Sequence, residues 1–143
     1  MHLLWLASLM LIAACATGEP AVPEPAVYDA CFEVDNCVEA AGLCEELVVE
    51  FAGLEYINAI CTNECSTTGA LSPDCSRAFI GRAGSCYPAS VAGGSDDTVC
   101  FEPCDSDEDC LFGFRCLTAT DLCGSAESCA VDESDAICVP GPN

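Results

Sequence analysis

Apolar residues in this chain are bunched rather than evenly spread. Residues 3–14, LLWLASLMLIAA, form one apolar run near the N-terminus. It is too short to cross a bilayer as a helix and has the length of a signal-peptide core. Only the amino terminus and His2 precede it as charged or ionisable groups. Residues 16–30, ATGEPAVPEPAVYDA, contain Pro20, Pro23 and Pro25 and no cysteine. Proline fixes φ and removes donors, so this segment reads as an extended tether reaching roughly 45 Å. A second apolar concentration, EELVVEFAGLEYINAI at 45–60, admits two readings. Leu43, Leu47, Phe51 and Leu54 lie at helical spacing. Alternatively, Leu47–Phe51 and Tyr56–Ile60 are β-rich runs around Ala52-Gly53, which favours a hairpin. The hairpin is preferred, because Tyr56–Cys61 aligns with the extended run Thr98-Val99-Cys100 in the cysteine repeat described next. Elsewhere only short strands and turns are expected.

Polar loops punctuated by cysteine fill the rest of the chain. Groups of four emerge after the tether: Cys31, Cys37, Cys44 and Cys61; Cys65, Cys75, Cys86 and Cys100; Cys104, Cys110, Cys116 and Cys123. Cys-x3-Cys steps at 61–65 and 100–104 join them. Cys129 and Cys138 remain and read as a pair that ties down the C-terminus. Asn36, Asp74 and Asp109 each precede the second cysteine of a group. Equivalent positions recur 39 residues apart, 61 to 100 and 65 to 104, and such a period indicates tandem small modules, with units at about 31–61, 65–100 and 104–138 and a tail at 139–143. The expected fold class is small and disulfide-rich: irregular, with short β-hairpins, tandem four-Cys modules and little regular secondary structure. Pairing within a unit is open, since four cysteines allow three connectivities.

Composition sharpens this picture. Cysteine supplies 15 of 143 residues, above the level that marks a disulfide scaffold. Once the cysteines and leader are set aside, few large apolar residues remain. A conventional single core is therefore not expected, and covalent staples would take its place. Net charge is −21, with Arg77, Arg82 and Arg115 as the only basic side chains besides His2. That charge repels nucleic-acid phosphates and gives no polybasic route to anionic lipids.

The same inventory bears on chemistry. Without His2, the chain has no His and no Lys, which removes Ser-His, Cys-His and Schiff-base arrangements. No Cys-x2-Cys occurs, so neither zinc knuckles nor the thioredoxin-type motif is present. Asp105, Asp107 and Asp109 open like a calcium loop, but Cys110 and Cys116 stand where an EF-hand needs Gly and Glu. They make a solvated acidic loop, with a weak, non-EF calcium site as the alternative. Phe112 and Phe114 flank Gly113; one is expected to pack on a disulfide and the other to be partly exposed. Arg115 beside them is a faint signal for a trypsin-inhibitor loop. No enzyme activity and no cofactor are expected.

Two resemblances add a location. Leu11-Ile12-Ala13-Ala14-Cys15 resembles the bacterial lipobox. The resemblance implies cleavage before Cys15, lipidation of Cys15 and membrane attachment through the acyl chains. In that pattern an Asp after the cysteine retains the protein in the inner membrane; Ala16 stands here, which favours the outer membrane. Ordinary cleavage after Ala14-Cys15-Ala16, giving a secreted protein, is the alternative. Either route leaves an even number of cysteines. Over residues 31–138, Cys61-Thr62-Asn63-Glu64-Cys65-Ser66 and Cys104-Asp105-Ser106-Asp107-Glu108-Asp109-Cys110 resemble the tandem Cys-rich repeats of myxobacterial-type envelope lipoproteins. Animal Dickkopf-type and whey-acidic-type modules share the dense spacing less closely. These resemblances imply a non-enzymatic surface or envelope lipoprotein that acts structurally or through an unidentified protein partner. The alternative is a secreted binding module of protease-inhibitor or calcium-dependent adhesion type.

Overall fold

A computed structural model describes residues 27–32, 37, 41–78, 80–124 and 129–142. The segment 45–60 is a hairpin. Strands β1 (Leu43–Phe51) and β2 (Leu54–Thr62) pair antiparallel. The two-residue loop between them needs positive φ at both positions, the hairpin turn whose twist matches its strands. Ala52 and Gly53 supply φ of 50° and 79°. Along the hairpin, Leu47 and Ile60 point inward while Glu46, Glu50, Glu55 and Ile57 are exposed. Two further hairpins follow. Strands β3 (Ser85–Pro88) and β4 (Thr98–Phe101) form the second, and β5 (Phe114–Thr118) and β6 (Ala136–Pro140) the third. A five-residue helix, α1 (Ala119–Cys123), sits in the β5–β6 connection, capped by Thr118 and Asp121. The protein is thus a small disulfide-rich fold of short antiparallel hairpins.

One covalent plan is built three times. Across each hairpin two cysteines face each other: Cys44 and Cys61, Cys86 and Cys100, Cys116 and Cys138. Each is bonded to a cysteine upstream. The pairs are Cys31–Cys44 and Cys37–Cys61, Cys65–Cys86 and Cys75–Cys100, and Cys104–Cys116 and Cys110–Cys138. Within every unit the first cysteine joins the third and the second joins the fourth. Cα–Cα separations run from 5.4 to 6.0 Å, the ordinary range. No disulfide crosses between units.

The backbone repeats as closely as the bonds. An extended segment ahead of each hairpin adds to its second strand through a single bridge: Ala30 with Ile60, Glu64 with Val99, Pro103 with Ile137. In each case the first cysteine donates its N–H two residues before the fourth, and the fourth donates two residues before the first. The acceptors are Ala59 and Asp29, Thr98 and Asn63, and Ala136 and Glu102. Each unit is therefore a hairpin with a short extended segment bridged to its second strand and disulfide-bonded to its first.

Three sequence expectations need revision here. The fourth cysteine of the last unit is Cys138, not Cys123, because Cys138 is the residue opposite Cys116. Cys123 bonds Cys129 instead, closing a local loop six positions long beside α1. Residues 27–30, assigned to the tether, enter the fold: Tyr28 is buried and donates its N–H to the Cys61 carbonyl at 2.7 Å. Residues 139–141, assigned to a tail, are also built in, since β6 runs to Pro140 and Gly141 donates to Gly113.

The expectation of no conventional core is also revised. Each hairpin has one apolar face, and the three faces meet. Leu47 and Ile60, Tyr87 and Phe101, and Phe114 and Ile137 are buried in one cluster, one pair from each unit. Smaller clusters surround the staples of the first and second units. Polar bonds between units supplement this contact. Thr62 Oγ1 donates to the Cys100 carbonyl at 2.6 Å, and Ser95 N donates to Glu45 Oε1 at 2.7 Å. Tyr87 Oη donates to Asp135 Oδ2 at 2.9 Å inside the core. Gly93, with φ of 74°, lies so close to β1 that a Cβ there would sit 1.9 Å from the Val48 carbonyl oxygen. Only glycine fits both the turn and that approach.

The hairpin tip carries an avoidable cost. Glu50 and Glu55 are directly opposite each other in β1 and β2, and like charges so placed repel. Glu50→Lys is expected to stabilise the fold by about 0.2–1 kcal/mol. Thermal unfolding checks this, and the gain should shrink as salt is added.

Candidate functional site

The acidic residues singled out in the sequence are placed by the repeat itself. Asp74 stands just before the second cysteine of its unit. Its Oδ2 accepts N–H bonds from Ser66 and Thr67 at 3.0 and 2.8 Å, the two residues after the first cysteine. Asp109 occupies the equivalent place in the third unit. Its Oδ2 accepts from Asp105 N and Ser106 N at 2.8 and 3.0 Å. A carboxylate bound by two backbone donors is stabilised in its ionised form. The Ser66 and Thr67 N–H bonds accordingly lower the Asp74 pKa to about 2, from an ordinary 3.8. The same kind of bond, from Asp105 and Ser106, lowers Asp109. Asn36, the counterpart in the first unit, lies outside the described residues.

This arrangement has a pH signature. A carboxylate whose folded pKa is depressed stabilises the fold above its unfolded value, and the contribution fades as pH falls through the folded value. For Asp74 the window runs from about pH 4 down to about pH 2. Asp74→Asn is expected to melt below the parent protein at pH 6, with the gap closing across that window. Melting curves of both proteins from pH 6 to pH 2 test this; a gap independent of pH would sink it.

Asp107 accepts Cys116 N through Oδ1 at 2.9 Å, while Oδ2 is 3.2 Å from Arg115 Nη2. The Cys116 N–H and then Arg115 hold its carboxyl below the usual value. Asp105 lies 3.2 Å from Arg82 Nη2, an ion pair by distance but without hydrogen-bond alignment. The three members of the calcium candidate are thus brought onto one loop, where each carboxylate faces a cation or N–H donors from the chain itself. In each unit the Sγ atoms of three cysteines also approach within 4.8 Å. They belong to two neighbouring disulfides, whose sulfurs are not thiolate ligands. Cys15, the lipidation candidate, lies outside the described residues.

The aromatic pair divides clearly. Phe114 is buried in the shared core, whereas Phe112 is 91% exposed. Arg115 is held on β5. It pairs with Asp107, and its guanidinium lies 5.1 Å from the centre of the Phe51 ring. Gly141 lies against its aliphatic stem. A side chain so engaged is not displayed as an inhibitor loop requires, and the geometry lends that reading no support.

A concavity that sequence reasoning missed lies where the three units meet. Its volume is about 630 Å³, and its walls are mostly apolar. Val27 and Tyr28 come from the first unit, Ala78 from the second, and Cys110 and Leu111 from the third. Asp29, Arg77, Glu102, Glu108 and Asp109 also line it. Tyr28 is positioned by its N–H bond to Cys61 and by donating its hydroxyl to the Ser76 carbonyl at 3.0 Å. Burial, aided by the nearby Glu102 charge, raises its pKa well above the ordinary phenol value. No local motif announces the groove, because its residues are far apart in the chain. The one signal was Tyr28, a large ring at the end of an otherwise small and proline-rich segment.

The fold and its staples define a small disulfide-rich protein of repeated clamped hairpins. Family models, curated proteins and solved structures were all compared with the chain, and none matches it.

Proposed function

We propose that this chain is a non-enzymatic lipoprotein of the cell envelope, a stapled module held off a membrane by its tether and engaged in contact with another protein. The observation that carries the reading is that all the cysteines beyond Cys15 are paired. Such pairing suits an oxidising compartment outside the cytosol. The apolar leader, the lipobox-like Cys15 and the acidic, rigidly braced surface support the same placement. The resemblance of the cysteine repeat to that of myxobacterial-type envelope lipoproteins is in keeping with it.

The test is detergent partitioning and intact mass of the full chain made in a Gram-negative host. Expected are recovery in the detergent phase, a mature N-terminus at Cys15 bearing acyl mass, and no alkylatable thiol. Cys15→Ser should leave the detergent phase. A mature start at Thr17 without lipid would overturn the anchor and favour a secreted module.

A further inference from the structure

We infer that the groove between the three units is a docking site for a peptide segment that alternates basic and apolar side chains, presented by a partner protein. The inference deepens the reading of the chain as an interaction module and rests on it.

The groove offers both halves of such a ligand a place. Its walls are mostly apolar, with Tyr28, Ala78 and Leu111 contributed by three different units. Leu111 is partly exposed, and Phe112 beside it is 91% exposed. Exposed apolar surface next to a concavity is a mark of an interaction site. The charges around it are lopsided. Asp29, Glu102 and Glu108 line it, with Glu102 only 7% exposed. Asp109 also lines it, but its Oδ2 is turned to its own loop. The one cation is Arg77, whose Nη1 donates to the Gly81 carbonyl at 2.6 Å and so stays on its own turn.

Charge complementarity selects the occupant. The surrounding protein carries −21, a field that draws cations toward an acidic cleft and repels anions. A second copy of this chain brings the same excess of negative charge. The chain's own segment 16–26, ATGEPAVPEPA, carries Glu19 and Glu24 and no cation. Anionic lipid is repelled for the same reason. A basic segment meets Glu108 at the exposed rim, and its apolar residues cover Leu111. The volume of about 630 Å³ holds a few side chains, so the recognised stretch is short.

The test uses the full chain and fluorescence anisotropy with three labelled peptides of equal length, at about 150 mM salt to screen diffuse attraction. One alternates Lys with Leu, one Lys with Ser, and one Glu with Leu. The Lys–Leu peptide should bind, the Lys–Ser peptide about tenfold more weakly, and the Glu–Leu peptide not at all. Leu111→Ser should weaken Lys–Leu binding about tenfold. Glu108→Lys, at the exposed rim, should weaken it about fivefold and decides the matter if Leu111→Ser does not fold. Overturning results are no binding, equal binding of the Lys–Ser peptide, or unchanged affinity in the folded variants. Equal binding of both basic peptides would mean that bulk charge, not the groove, attracts them. Detergent partitioning tests the envelope reading separately, so either idea can fail alone.

Discussion

Leu47→Ala is expected to lower the stability of the whole protein by about 2–5 kcal/mol, in a single transition. Leu47 belongs to the first unit and is fully buried, yet its cluster includes Tyr87 and Phe101 of the second and Phe114 and Ile137 of the third. Truncation removes the transfer energy of the missing carbons and leaves a space that hairpins stapled on both strands cannot close up around. If the units were independent modules, only the first would weaken. Hydrogen exchange monitored in all three hairpins distinguishes the cases. Faster exchange in β5 and β6 of the variant is the expected result; a change confined to β1 and β2 would show that the shared core does not couple them.

Removing the Cys75–Cys100 bond by substituting both residues with Ala should cost about 3.5 kcal/mol from chain entropy alone, for a loop of sequence separation 25. Loss of packing adds to this, because both residues are buried. The matched control is Cys123→Ala with Cys129→Ala. That bond spans a separation of 6, and the same relation gives about 2 kcal/mol. It also lies outside the threefold plan, so no hairpin opens when it is lost. Guanidinium unfolding without reductant measures both. Equal losses, or a larger loss in the control, would refute the distinction drawn between repeat clamps and the local loop.

The first hairpin and the grouping of cysteines into units were legible in the sequence for local reasons, whereas the pairing was not, since four cysteines allow three connectivities. Gly53 between β-rich runs marks a hairpin because glycine takes the positive φ such a turn needs, while Ala52 adopts one that side chains disfavour. The Cys-x3-Cys steps mark where one unit passes to the next. Counting cysteines in order failed at Cys123, since hairpin register, not sequence rank, decides which residue faces Cys116. Asp74 and Asp109 were visible as a repeated residue, but their partners are backbone N–H groups, which no side-chain pattern reports. The shared core was hidden for a different reason. Each hairpin holds only a few large apolar residues, too few to predict a core alone, and their convergence depends on how the units pack. The groove over Tyr28 and Leu111 follows from that same convergence.

The interleaved staples also govern how the protein would bear a load. Consider a pull between residues 27 and 142. The shortest covalent route crosses each unit through a single bond, Cys37–Cys61, Cys75–Cys100 and Cys110–Cys138. It runs along only roughly a third of the intervening backbone and leaves the rest as enclosed slack. Even a fully unfolded module would extend to only roughly a third of its backbone contour until a sulfur–sulfur bond is reduced. Under tension the protein would therefore be a length-limited link rather than a freely extensible one.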